Sequence, residues 1–397
     1  MESFHCVVFV MVVMCAAVEA YEERRDVKIV PGCLNEEDFE KEYGQKMYKK
    51  LSYDKYKIQD IKKDSDRSFR VVNFNIDTKV ENTFKFKWMK FEVSLVEQVD
   101  QVDDTDYESV ALEVALLQNL TENGITPKFK TCAYEIREFD GVYRARYYIV
   151  LEKVDHNAYY FFKKRLSKNY TMADRIYKFL QMAMLIQKLH LLGYTHQDIK
   201  PFNFVSTDEK MLDFRLIDLS VVARDKSPGI GGTRYYFSPD KHDDKFTATF
   251  QQDAFAFALT LIKLIDEEGV FDKTINEECI RHPETFSDKC KESFIAGVEA
   301  LKSKVELVTF FEYLKDHFFD EASPLNINDM MADLIKCYTQ IDSKIPDDSP
   351  EKSNHLNGKM NIIVSKYIEN VAAMKSKEEE KLRKQNGLGG ASSDKII

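Results

Sequence analysis

Eight consecutive residues, His196-Gln197-Asp198-Ile199-Lys200-Pro201-Phe202-Asn203, put a carboxylate, an ammonium and a carboxamide into one short stretch. Those groups suit phosphoryl transfer. That reaction needs a carboxylate to orient an attacking hydroxyl, a cation on the moving phosphate and oxygen ligands for magnesium. Asp198, Lys200 and Asn203 are therefore the first candidates, and the chain must also supply a further carboxylate and groups to hold a nucleotide.

The stretch resembles the catalytic loop of the eukaryotic protein kinase superfamily, written H-R-D-[IL]-K-P-x-N. Two further segments resemble the same family in the same order. Arg215-Leu216-Ile217-Asp218-Leu219-Ser220 looks like the strand ending in the D-F-G turn, with Leu for Phe and Ser for Gly. Gly232-Thr233-Arg234-Tyr235-Tyr236-Phe237-Ser238-Pro239-Asp240 looks like the end of an activation segment, with Asp240 for Glu. Downstream, Asp253 resembles the aspartate that pins the catalytic loop from below. The resemblance implies that Asp198 is the base, Lys200 the phosphate contact, Asn203 and Asp218 the Mg2+ ligands, and Thr233 a residue that orients Asp198. Asp213, in Asp213-Phe214-Arg215, is the rival to Asp218. It lies ten residues after Asn203, which crowds the hairpin that must intervene, so Asp218 is preferred. Gln197 stands where the family has the arginine that pairs with a phosphorylated activation segment. The arginine partner of the activation-segment Glu has no clear counterpart near Asp342–Pro346.

For the nucleotide, the family uses a lysine on the third strand and a glutamate on the following helix. Trp88-Met89-Lys90-Phe91-Glu92 and Leu112-Glu113-Val114-Ala115-Leu116-Leu117 supply Lys90 and Glu113, with Lys87 and Glu108 as rivals. Both segments, and Phe204 after Asn203, resemble the casein kinase 1 and tau-tubulin kinase branch. Leu151, Glu152 and Val154 fall where the family binds adenine through its hinge. Trp88 is bulky for a position that the family keeps small. Lys62-Lys63-Asp64-Ser65-Asp66-Arg67-Ser68, where a glycine-rich phosphate loop belongs, has no glycine.

The elements that would position these groups are legible from periodicity. Strands are expected at Lys57–Ile61, Phe69–Asn75, Thr83–Glu92, Thr131–Glu138 and Arg146–Val154. A helix is expected at Glu108–Leu120, with Leu112, Leu116, Leu117 and Leu120 as its apolar residues. After Tyr170 the pattern is helical: Ile176, Phe179, Leu180, Ala183, Ile186 and Leu189 form a core stripe. Further helices are expected at Thr249–Glu268, Lys291–Leu301, Leu307–His317, Asp329–Gln340 and Met360–Met374. Strands first and helices afterwards give an α+β architecture with a small β-rich N-lobe and a larger helical C-lobe, and the resemblance implies that this is a bilobal kinase-like fold.

Residues 1–20 read as a signal peptide cleaved after Ala20, because the apolar run Val7–Val18 suits a signal and is short for a bilayer span. Residues 21–53 read as an N-terminal extension, 54–374 as the kinase-like domain and 375–397 as a charged flexible tail, a helical run that dissolves into Gly-Leu-Gly-Gly-Ala-Ser-Ser. No transmembrane segment is expected after signal cleavage. A net charge of −10 without a dense Lys/Arg block argues against nucleic acid as a partner. Five cysteines survive cleavage: Cys33, Cys132, Cys279, Cys290 and Cys337. The odd number leaves at least one unpaired within the chain. Cys279 and Cys290 are close enough for a disulfide if the protein is secreted. The expectation is a secreted or lumenal serine/threonine kinase that uses ATP and Mg2+ on protein substrates. The alternative is a secreted pseudokinase that acts as a binding or effector module.

Overall fold

The computed structural model describes residues 31–35, 37–38, 41, 69–74, 82–87, 103–139, 142–152, 156–165, 170–206, 213–229, 231–239, 241, 246–275, 279, 287–302, 306–320, 322–343 and 354–388. They fall into two compact units, the first ending at Val154 apart from a short excursion at Asn123–Thr126. The residues read as a signal peptide, the expected Lys57–Ile61 strand and the Lys62–Ser68 segment lie outside the described residues.

The first unit is built on an antiparallel sheet ordered β1-β2-β4-β3, from β1 (Phe69–Phe74), β2 (Asn82–Lys87), β3 (Phe129–Phe139) and β4 (Val142–Glu152). β3 and β4 form a long hairpin from Phe139↔Val142 to Phe129↔Leu151. The segment expected as a weakly patterned extension joins this sheet. Leu34 makes a parallel bridge to Ala133, with Leu34 N donating to Cys132 O at 2.8 Å and Tyr134 N to Leu34 O at 2.9 Å. A disulfide from Cys33 to Cys132 fixes that edge.

α1 (Asp103–Glu122) is longer than expected and is turned differently. It buries Glu113, Val114, Leu116, Leu117 and Leu120, but leaves Leu112 41% exposed. At 3.6 residues per turn Leu112 sits roughly 140° round the helix from Leu117, outside the buried arc. The apolar pattern placed Leu112 inside, and the helix instead turns the Glu113 carboxylate inward.

The second unit is mainly helical. α2 (Met172–Leu191) begins with a capping box, in which Thr171 and Asp174 satisfy each other's backbone N–H groups. Its stripe Ile176, Phe179, Leu180, Ala183, Ile186 and Leu189 is buried throughout. α3 (Phe250–Ile265) starts with a second box, Thr249 with Gln252, and is apolar on nearly every side, as a central core helix should be. α4 (Val270–Thr274), α5 (Asp288–Lys302), α6 (Val308–His317) and α7 (Ile327–Asp342) follow. α8 (Asn354–Leu388) continues past Met374 into the charged helical run expected after it. Buried Gln187 of α2 donates to Asn328 and accepts from Asn370, each at 2.7 Å, which ties α7 and α8 to the helix leading into the catalytic stretch. Among the described residues no helix is long and apolar enough to cross a membrane.

Cys279 and Cys290 form the second disulfide, across a sequence separation of 11. Cys337 is buried and unpaired, its thiol within 2.9 Å of the Thr309 hydroxyl, and burial pushes its pKa up. Non-reducing peptide mapping of the native protein should recover Cys33–Cys132 and Cys279–Cys290 as linked peptides. Among the cysteines of the described residues only Cys337 should alkylate, and then only after unfolding. Ready alkylation of Cys279 and Cys290 in unreduced protein would contradict the pairing.

Candidate active site

The His196–Asn203 stretch hangs between short strands. β6 (Tyr194–Thr195) pairs with β9 (Ala223–Arg224), and a single 3-10 turn, Pro201–Asn203, leads into β7 (Phe204–Ser206). β7 pairs with β8 (Phe214–Leu216) and on its other side with β5 (His156–Asn157). Gly193, at φ 82°, makes the turn from α2 into β6. Because both ends of the loop are pinned in ladders, its side-chain positions are set by the backbone between them.

One carboxylate organises that backbone. Asp253, in the first turn of α3, is fully buried and accepts from His196 N (2.7 Å), Gln197 N (2.8 Å) and the His190 ring Nε2 (2.9 Å). Burial alone would raise its pKa, but these hydrogen bonds outweigh burial and hold the carboxyl below its ordinary range. Gln197 sits at φ 61°, a left-handed conformation costly to a residue with a Cβ. Two bonds stabilise it: its N–H to Asp253, and its side-chain amide to the Val221 carbonyl. The His196 ring Nε2 donates to Ile217 O at 3.1 Å, just before Asp218, which fastens the loop to the second acidic segment.

On this frame Asp198 is buried, and each of its oxygens has a partner. Its Oδ1 accepts from Thr233 N at 2.8 Å, and its Oδ2 from Lys200 Nζ at 2.6 Å and Asn203 Nδ2 at 3.2 Å. Lys200 Nζ also donates to Thr233 Oγ1 at 2.8 Å, and Asn203 Nδ2 to Asp198 O at 2.8 Å. Asn203 thus spends its amide nitrogen on Asp198, which leaves its amide oxygen as the atom to meet a cation. Asp198, Lys200, Asn203 and Thr233 come together as one network.

The hairpin separates the two rival aspartates. Asp213 immediately precedes β8, is half exposed and pairs with Arg215. Asp218 follows β8, is 8% exposed and sits at φ 67°; Ser220 Oγ donates to its Oδ1 at 2.9 Å. Ile217 N donates to Asn203 O at 3.0 Å, so the residue before Asp218 is hydrogen-bonded to Asn203.

The ledge after Thr233 is fastened from beneath. Tyr235 donates to Asp272 Oδ1 at 2.9 Å, and Lys263 pairs with the same carboxylate. Burial raises the Tyr235 phenol above its usual range, with Asp272 adding to the effect. Tyr236 is likewise raised, first by burial and then by the charge of Asp198.

The nucleotide candidates lie in the first unit. Glu113 is buried on α1 at 1% exposure, Leu151 is buried on β4 and Glu152 ends that strand. Lys90, Trp88 and Val154 lie outside the described residues; β2 ends at the rival Lys87. Sequence reasoning missed His190 as an Asp253 partner, although a His preceding the loop on the buried stripe of α2 was a usable signal. It also missed Lys241, for which no motif exists. Among the described residues no group of three or more His, Cys, Asp or Glu could hold a metal ion. Magnesium on nucleotide phosphates needs fewer protein ligands, and Asn203 with Asp218 offers an amide oxygen and a carboxylate of the right hardness.

The family model for the protein kinase domain matches residues 88–344. The chain belongs to the protein kinase domain family. It is 29% identical over 161 residues to a probable serine/threonine-protein kinase of Dictyostelium discoideum, covering 37% of this chain and 31% of that protein. It is also 29% identical over 113 residues to the serine/threonine-protein kinase SBK1 of Danio rerio, covering 25% and 29%. The alignments thus span about a third of the length of these relatives. In this kinase domain the aspartate beneath the loop is the feature most exposed to test. Asp253→Asn puts an amide donor against backbone N–H groups and should destabilise the protein by about 3 kcal/mol at pH 7 in urea unfolding. The folded Asp253 pKa is depressed, so its contribution is complete above the unfolded value of ~3.9 and fades as pH falls through the folded one. The gap between wild type and variant should therefore narrow in acid. An equal gap at every pH would contradict the assignment.

Proposed function

We propose that this chain is a serine/threonine protein kinase that transfers the γ-phosphoryl group of ATP to protein hydroxyls, in the secretory lumen or outside the cell. The observation that carries this reading is the Asp198 carboxylate, held by Lys200, Thr233 and Asn203 together. A salt bridge with no task needs no such convergence. In the reaction Asp198 accepts a hydrogen bond from the substrate hydroxyl and takes its proton as the oxygen bonds to the γ-phosphorus. The bond from that phosphorus to the bridging oxygen breaks, and ADP leaves. Lys200, 2.6 Å from Asp198, is placed to neutralise charge on the moving phosphoryl group. Asn203 and Asp218 are the residues that would hold magnesium, which when bound neutralises phosphate charge. Lys90, Glu113, Leu151, Glu152 and Val154 are assigned to ATP on family resemblance.

The serine/threonine class draws on lysine two places after Asp198 and on the class named for both relatives. The casein kinase 1 and tau-tubulin kinase branch is the finer placement we favour, on the Trp88–Glu92 and Leu112–Leu117 segments and Phe204. Secretion is supported by the Val7–Val18 run and by two cysteine pairs, which suit an oxidising compartment. The rival, a kinase-fold binding module, draws on the glycine-free Lys62–Ser68 segment and on Trp88. Ser220, the other departure, favours the enzyme, since its hydroxyl orients Asp218.

Transfer of labelled γ-phosphate to a mixed serine/threonine peptide pool separates the two. Asp198→Asn should abolish transfer while leaving ATP affinity near wild type. Asp218→Asn should weaken magnesium-dependent ATP binding by ~2–3 kcal/mol, the scale of a lost charged contact. Asp213→Asn should be nearly silent. Full activity in Asp198→Asn would sink the mechanism; loss in Asp213→Asn equal to that in Asp218→Asn would sink the choice of metal ligand.

A further inference from the structure

Lys241 is a buried lysine, 4% exposed, that no family motif predicts. Its ammonium donates to Gln197 O at 3.3 Å and to Gly231 O, and lies over the rings of Phe237 (4.0 Å) and Phe246 (4.3 Å). Gln197 O belongs to the catalytic loop, one residue before Asp198. Gly231 O belongs to the segment whose Thr233 N–H binds Asp198. Two carbonyl oxygens brought to one point repel unless a cation lies between them, and the faces of the two rings complete a site suited to a desolvated ammonium. Gly232 permits the approach: at φ 137°, a Cβ there would stand 2.4 Å from Gln197 O and 3.3 Å from Lys241 Nζ. Any larger residue would drive the two segments apart.

Gln197 occupies the position where a kinase that is switched on by activation-segment phosphorylation uses an arginine to hold the phosphate. Here its side chain is spent on the Val221 carbonyl and carries no charge. The joint between activation segment and catalytic loop is closed instead by an internal cation. We propose that Lys241 is a positioning residue that clamps Gly231–Thr233 to the catalytic loop, so that Asp198 is held in place without phosphorylation. The proposal builds on the kinase reading above, but its structural half can be measured without any turnover.

The test uses phosphatase-treated full-length protein. Lys241→Met keeps length and apolar contact but removes the charge, Lys241→Gln keeps a donor without charge, and Lys241→Arg keeps the charge. Amide hydrogen exchange in the peptide spanning Gly231–Tyr236 should speed up by about tenfold or more in Lys241→Met, the size expected for a lost charge-assisted hydrogen bond. Exchange in α2 and α3 should stay at wild-type rates. Lys241→Gln should fall between, and Lys241→Arg should restore most of the protection. In the transfer assay kcat should drop by about tenfold to a hundredfold with KM for ATP nearly unchanged, the pattern of a displaced catalytic group. Wild-type protection and kcat in both Lys241→Met and Lys241→Gln would overturn the proposal. So would loosening spread evenly over α2, α3 and the segment that arginine fails to reverse, because it marks a packing role. If wild type transfers nothing yet the exchange pattern changes as described, the clamp stands and the kinase activity falls.

Discussion

The buried carboxylate of Asp253 is the constraint on which the site rests. A desolvated anion in a protein core is tolerated only when its lone pairs are filled, and here two peptide N–H groups and an imidazole fill them. The peptide donors belong to His196 and Gln197, so satisfying the anion fixes the backbone immediately before Asp198. Position in the first turn of α3 adds a favourable dipole to the same charge. In return the loop can keep Gln197 in a left-handed conformation that would otherwise relax by ~1–2 kcal/mol. The strain is paid for by the buried hydrogen bonds rather than by a glycine.

From that point the geometry propagates through short links. Gln197 presents its carbonyl to Lys241 and Asp198 its carboxylate to Thr233, so the activation segment is tied to the loop by two contacts from adjacent residues. His196 carries the constraint the other way, to Ile217 and hence to Asp218. Asp198 and Asp218 are thus held through the same neighbouring backbone, although one residue lies in a loop and the other follows a hairpin strand.

How much of this was readable in sequence follows from the distance over which each feature is encoded. Asp198, Lys200 and Asn203 lie close together in the chain, so their types and offsets made the resemblance to the kinase catalytic loop legible. The short spacing between Asn203 and Asp213 was the sequence signal that favoured Asp218, and the structure puts Asp213 just before β8 and Asp218 after it. The Cys279–Cys290 pair was visible from its short separation, whereas Cys33–Cys132 spans a separation of 99 and required the edge bridge at Leu34 to be known. Leu112 misled because a leucine at four-residue spacing looks like core, while the buried arc turned towards Glu113. The helical run past Met374 was legible in its charged, helix-forming composition, whereas Lys241 was missed because a lysine in a polar stretch gives no sign of two carbonyls and two rings converging on it.

The central proposal is that this chain binds nucleotide carried on magnesium, and thermal unfolding of the wild-type protein tests that most directly. With magnesium present, ATP at about a hundred times its dissociation constant should stabilise the fold by ~2.7 kcal/mol and raise Tm by roughly 5 °C. Without magnesium the same ATP should give a much smaller shift. An unchanged Tm under both conditions would contradict the account and leave a kinase fold that works as a binding module.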